Sequence, residues 1–192
     1  MSVDYVAPLT RRVTALVRTG TADQLKRGVC WYEEAHGHAS ELAAEFGYTT
    51  EAAAGVIAAL SPQTGWWQNL MLARQACELG ELIQGHTGDA MRKVNTILAD
   101  PNVNPLDALG GLKVRSFYRN IVSGGWDREF VTIDRHAYDI ATGVRLNGSS
   151  LTPKRYEATA ETYRRASKIL GMTPAQAQAT AWVIHRDALG IR

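Results

Sequence analysis

The stretch Phe130-Val131-Thr132-Ile133-Asp134-Arg135-His136-Ala137 decides the fold class. Its first four residues favour extended backbone, and no other run in the chain looks extended. The run leads straight into an acid, and the helical pattern that follows reaches Thr142 and stops at Gly143. An aspartate at that point sits at a helix N-terminus. There its charge suits the helix dipole, and its oxygens accept backbone N–H bonds. With helical periodicity everywhere else, the expected fold is all-α, with roughly eight to ten short helices. Taken alone, Asp134 reads as a helix cap with a histidine, His136, two residues beyond it.

The 192 residues suit one domain with a real core. Hydrophobic residues make up 45% and charged residues 21%, the profile of a soluble globular protein. A net charge of +2 argues neither for nor against nucleic acid, so any basic footprint must be local. The two cysteines, Cys30 and Cys77, share no metal-ligand spacing and are too few for a cysteine zinc site or an iron–sulfur cluster. Absence of a signal pattern at the N-terminus and of any membrane-length apolar run makes a cytoplasmic protein without membrane contacts the expectation.

Going along the chain, an amphipathic segment over residues 9–18 ends at Gly20. A second helix opens at Thr21-Ala22-Asp23, and its period breaks at His36-Gly37-His38. A third helix starts at Ser40 and closes on Gly47. Residues 52–60 are almost wholly Ala, Val, Ile and Leu, the pattern of a helix buried on all sides. The polar Ser61-Pro62-Gln63-Thr64-Gly65 interrupts it, and a further helix spans residues 66–79. A short helix over residues 90–98 lies in a Gly- and Pro-punctuated region. Two final helices each begin on Thr-Pro, at Thr152-Pro153 and Thr173-Pro174, a cap residue followed by proline at the first helical position.

Two further stretches have chemical potential. In Leu109-Gly110-Gly111-Leu112-Lys113, paired glycines permit positive φ and expose backbone N–H groups at a helix start, which is an anion site. Arg115 and Arg119 follow one turn apart beside Lys113, a compact basic patch suited to a phosphodiester backbone. The plain alternative is a tight turn before a solvated basic face. In Ser61-Pro62-Gln63-Thr64-Gly65-Trp66-Trp67-Gln68-Asn69, paired aromatics beside amides and hydroxyls suit stacking on an unstacked base. The plain alternative there is that Trp66 or Trp67 is core. His36 and His38 have no third ligand at metal spacing, and His86 and His185 read as surface or packing residues. Phosphate-loop, dinucleotide-fold, nucleophile-elbow and HExxH motifs are all missing from the sequence.

Taken in order, Ile57-Ala58-Ala59-Leu60-Ser61-Pro62-Gln63-Thr64, Leu109-Gly110-Gly111-Leu112-Lys113 and Val131-Thr132-Ile133-Asp134-Arg135-His136 resemble the helix–hairpin–helix (HhH-GPD) DNA glycosylase superfamily. In that superfamily an apolar helix ends in a Ser-x-Gln-Thr-like turn. A Leu-Pro-Gly-x-Gly hairpin leads to a helix that can carry a lysine, and a Val-Asp-x-His stretch bears the essential aspartate. The resemblance covers residues 52–143, with the hairpin at 109–113, inside a single helical domain over 1–192. It implies DNA as the partner, a duplex with an extruded base, and no cofactor or metal.

Carried over position by position, the resemblance makes Asp134 the catalytic carboxylate and puts Lys113 where bifunctional members place their Schiff-base lysine. Gln63, Thr64, Trp66 and Trp67 would line the base pocket. Gly110, Gly111, Lys113, Arg115, Arg119 and Arg135 would bind DNA phosphates. The hairpin departs from the pattern, being Gly-Gly-Leu and one residue shorter, and an insertion carrying Trp126 precedes residue 130. These departures also fit a branch that resembles glycosylase-like bacteriophage proteins associated with thymine hypermodification, and the 59–69 and 133–137 segments look similar to small actinobacterial phage proteins. Three activities are therefore expected to compete. They are N-glycosidic cleavage, transfer onto an activated 5-hydroxymethyl pyrimidine, and DNA or protein binding without catalysis; a phage origin would place the protein in the host cytoplasm.

Overall fold

A computed structural model describes residues 5–100, 102–146 and 151–190. Among them are ten helices and no strand, so the all-α expectation holds. The chain gathers into two compact units: one is Glu33–Gly124, and the second combines Met1–Tyr32 with Gly125–Arg192.

The unit Glu33–Gly124 is built on α3 (Thr50–Ala59), whose residues from Ala52 to Ala59 are all buried. Thr49 caps it, accepting the Ala52 N–H at 3.0 Å. Small side chains are what make a fully buried helix possible, because neighbours can approach from every side. A β-carbon on Gly55 would lie 2.7 Å from Pro105 Cβ, which shows how closely α6 (Pro105–Ala108) comes to α3. Around α3 pack α4 (Trp66–Leu79), α5 (Gly88–Ala99) and α7 (Leu112–Val122). The 66–79 helix expected from the sequence is α4 residue for residue, and α5 is the expected 90–98 helix lengthened at both ends.

The break expected at His36-Gly37-His38 does not occur: α2 runs unbroken over Ala22–Phe46. Glycine inside a helix costs only about 1 kcal/mol, and buried Ala35, Ala39, Leu42 and Ala43 carry the apolar stripe through it. His36 Nδ1 sits 3.1 Å from the Ile121 carbonyl oxygen, and His38 lies by Glu41 at 3.4 Å.

The other unit holds α1 (Val6–Arg18), the first turns of α2, α8 (Arg135–Thr142), α9 (Pro153–Leu170) and α10 (Pro174–Ala188). Its core joins Val13 and Val17 of α1 to Val131, Ile133, Ala137, Tyr156, Tyr163 and Ala181. Thr152 and Thr173 cap α9 and α10 as their Thr-Pro starts imply, and Gln176 completes a capping box with Thr173.

Residues 130–133 run without secondary structure. Val131, Thr132 and Ile133 are nevertheless all buried, and side chains satisfy the backbone where a strand would use a ladder. Tyr156 donates its hydroxyl to Val131 O at 2.7 Å and accepts the Ile133 N–H at 3.2 Å. Tyr32 Oη lies 2.9 Å from Thr132 Oγ1. An extended run that two tyrosines hold in place needs no sheet.

Candidate functional site

In the unit Glu33–Gly124, α3 hands over at Leu60 to the 61–65 turn, and α4 starts at Trp66. Gln63 adopts φ +61°, the one non-glycine residue with positive φ among the described residues, and its side chain is exposed. Such a conformation costs about 1–2 kcal/mol in a residue with a side chain. The Thr64 hydroxyl donates to Pro62 O at 3.2 Å and lies 2.7 Å from His86 Nε2. Buried Asn69 donates Nδ2–H to Ile57 O at 3.0 Å, tying the first turn of α4 to α3. Ser61 Oγ and Asn69 Oδ1 are buried without a hydrogen-bond partner among the described residues.

Neither tryptophan is core. Trp67 is 70% exposed and Trp66 is half-buried. The His38 ring stands 6.1 Å from Trp66 and 6.4 Å from Trp67. Met71, one turn beyond Trp67, is 72% exposed. The first turn of α4 thus exposes one large indole, Trp67, a side chain on which a base can stack.

The hairpin at 109–113 lies between α6, capped by Asn104, and α7. Gly111 has φ 76° and ψ 143°, a region essentially restricted to glycine, and α7 starts without a side-chain cap. Arg115 is turned inward on the hairpin's own backbone, where Nη1 donates to Leu106 O at 2.5 Å and to Leu109 O at 2.9 Å. It clasps the hairpin, and any phosphate contact falls to its remaining N–H groups. Lys113 and Arg119 are half-buried on α7. Sequence reasoning missed Lys93 of α5, whose Nζ would lie 3.9 Å from a β-carbon on Gly110 and pairs with Asp89 at 2.5 Å. Its only sequence signal was the Asp89–Lys93 i,i+4 spacing.

Asp134 and Arg135 belong to the other unit, while the other candidate residues all lie in Glu33–Gly124. Asp134 is the N-cap of α8. Its Oδ1 accepts the Ala137 N–H at 2.7 Å, and its other oxygen has no hydrogen-bond or ion-pair partner among the described residues. Below it, fully buried Tyr163 donates to Ala137 O at 3.0 Å. Burial and the Asp134 charge push the Tyr163 phenol well above its ordinary value, so it remains a donor. Arg135 is exposed and has no partner among the described residues.

His136 has a neighbour that the sequence did not suggest: its ring lies 5.8 Å from that of His185 on α10. Burial and then His136 hold His185 below the usual histidine range, while Asp139 and Asp134 pull the other way. The two imidazole rings thus lie together, one on α8 two residues past the Asp134 cap and one on α10. Among the described residues no group of three His, Cys, Asp or Glu side chains is arranged to hold a metal ion.

A family model described as a family of unknown function (DUF7178) matches residues 3–189, so the chain belongs to that family. No curated protein and no solved structure matches the chain.

Proposed function

We propose that this DUF7178 member is a DNA-binding enzyme of helix–hairpin–helix glycosylase-like (HhH-GPD) fold that cleaves the N-glycosidic bond of an extruded nucleobase. The observation that carries the reading is the division of labour on Asp134. One oxygen is committed to the α8 cap and the other is unengaged, so the charge is held in place and still available.

In the proposed reaction the bond from the sugar C1′ to the base nitrogen breaks, and its electron pair leaves with the base. The Asp134 carboxylate stabilises the positive charge that develops on the sugar. Water then adds at C1′ and gives its proton to the carboxylate. The Gly110-Gly111 hairpin and the start of α7, with Lys113 and Arg119, supply backbone phosphate contacts. Gln63 would occupy the space the extruded base leaves, with Thr64, Trp66 and Trp67 beside it. If the neutral Lys113 amine attacks C1′ in place of water, the base leaves with the bond's electron pair. The C1′–O4′ bond then opens with its pair and an amine proton going to O4′, and the resulting Schiff base is reduced by borohydride to a stable protein–DNA adduct.

Unpartnered Arg135, next to Asp134, favours a second reading. There the enzyme displaces pyrophosphate from an activated 5-hydroxymethyl pyrimidine with an amine, and the guanidinium receives the leaving group. Incubation with a panel of base-damaged duplexes and with a duplex carrying pyrophosphorylated hydroxymethyluracil separates the two. Release of a free base supports cleavage; amine-dependent release of pyrophosphate supports transfer. Salt-dependent duplex binding with neither product leaves a binding module.

A further inference from the structure

We propose that His86, in the segment between α4 and α5, is the positioning residue of the 61–65 turn, holding Gln63 in the conformation in which it meets DNA. This rests on the reading of that turn as the DNA-entering element.

The Thr87 N–H donates to His86 Nδ1 at 2.8 Å, so Nδ1 bears no proton and the neutral ring carries its proton on Nε2. That Nε2 lies 3.1 Å from Leu60 O and 2.7 Å from Thr64 Oγ1. Thr64 spends its own hydroxyl proton on Pro62 O, so its oxygen is free to accept from Nε2. A single imidazole N–H therefore spans the residue before the turn and the residue after Gln63.

The ends of the turn are held by the Ser61 N–H on Ala58 O and the Asn69 N–H on Gly65 O, and its middle is held less. The amides of Gln63 and Thr64 have no hydrogen-bond partner among the described residues. A left-handed residue with a side chain is disfavoured by about 1–2 kcal/mol. One or two hydrogen bonds to an imidazole are of the size needed to offset that. The ring is itself anchored, because Thr87, which fixes its tautomer, is the N-cap of α5 and accepts the Ala90 N–H at 3.4 Å. Helix α5 packs on α3, and the carbonyl the imidazole reaches belongs to Leu60, the C-cap of α3.

The test compares wild type with His86→Ala, His86→Gln and Thr64→Val. Glutamine can put an amide N–H where Nε2–H was, so it can restore the tie; Thr64→Val removes one arm without touching the histidine. The first readout is 15N relaxation of Gln63 and Thr64 in the free protein. Increased mobility in His86→Ala and Thr64→Val, reversed in His86→Gln, is expected; unchanged relaxation overturns the tie. The second readout is base extrusion, followed by 2-aminopurine fluorescence in duplex DNA, together with duplex Kd. His86→Ala should lower extrusion about tenfold, the equivalent of roughly 1.4 kcal/mol, while Kd stays within about twofold because the phosphate contacts lie elsewhere. His86→Gln should recover most of the loss.

A loosened turn with undiminished extrusion overturns the positioning role. Equal losses of extrusion and Kd in both His86 variants overturn it too, since they indicate general damage. If wild type extrudes no base, the DNA reading fails, and relaxation alone still decides whether His86 holds the turn.

Discussion

Asp134 combines a cap and a free carboxylate oxygen in one side chain, so substitutions separate the two roles. Asparagine caps helices about as well as aspartate. Asp134→Asn should therefore change stability by only a few tenths of a kcal/mol, whereas Asp134→Ala should cost about 0.5–2 kcal/mol in urea unfolding. A stability loss from Asn equal to that from Ala would mean that the charge, not the cap, holds the start of α8. His185 gives a pH signature. His185 is held below the ordinary histidine range in the folded state, so the unfolded chain takes up its proton first as pH falls. The stability His185 contributes is complete above that range and is lost as pH drops through it towards the folded value. Unfolding midpoints between pH 8 and pH 5 should decline, and the decline should flatten in His185→Gln. The cap itself was legible, because an acid between an extended run and a helical pattern has few other local roles. The His136–His185 pair was not, because α10 brings His185 in from a remote part of the sequence, and no local pattern signals that contact.

At the scale of elements, the hairpin depends on Gly111, whose backbone angles favour glycine and where an added β-carbon would meet nothing within 4 Å. Gly111→Ala should cost about 1–3 kcal/mol through backbone strain alone, seen as a lower urea midpoint, and should weaken duplex binding. Steric crowding acts alone at Gly28 of α2, where a β-carbon would fall 2.3 Å from Thr180 Cα. Gly28→Ala should cost about 1–3 kcal/mol by overpacking, and an unchanged midpoint would contradict the close approach of the two helices. The elements that could be read directly were those with their own local signals: the Thr-Pro starts of α9 and α10, and the Gly65 and Gly80 bounds of α4. The unbroken α2 could not be read, since the local cost of Gly37 is smaller than the gain from the buried alanines on either side. Nor could the ties that Tyr156 and His86 make, because each joins segments distant in sequence.

For the molecule as a whole, the all-α class followed from having a single β-favouring run, and the order of three motifs is the sequence basis of the proposed DNA function. The division into two units was hidden because the first of its two crossings, at Tyr32–Glu33, falls inside the continuous helix α2; the second is at Gly124–Gly125. Among the described residues no helix is long and apolar enough to cross a membrane. Under the proposed function the two units have separable duties: Glu33–Gly124 carries the hairpin and the Gln63 turn, and the other unit carries the carboxylate. Binding and chemistry should therefore fail independently. The most direct measurement is single-turnover base release from a saturating base-damaged duplex by wild type and Asp134→Asn, with duplex Kd determined in parallel. The account predicts that base release by Asp134→Asn falls by at least about a hundredfold, the scale expected for losing a charge that stabilises the transition state, at an unchanged Kd. Base release by Asp134→Asn at the wild-type rate would contradict it.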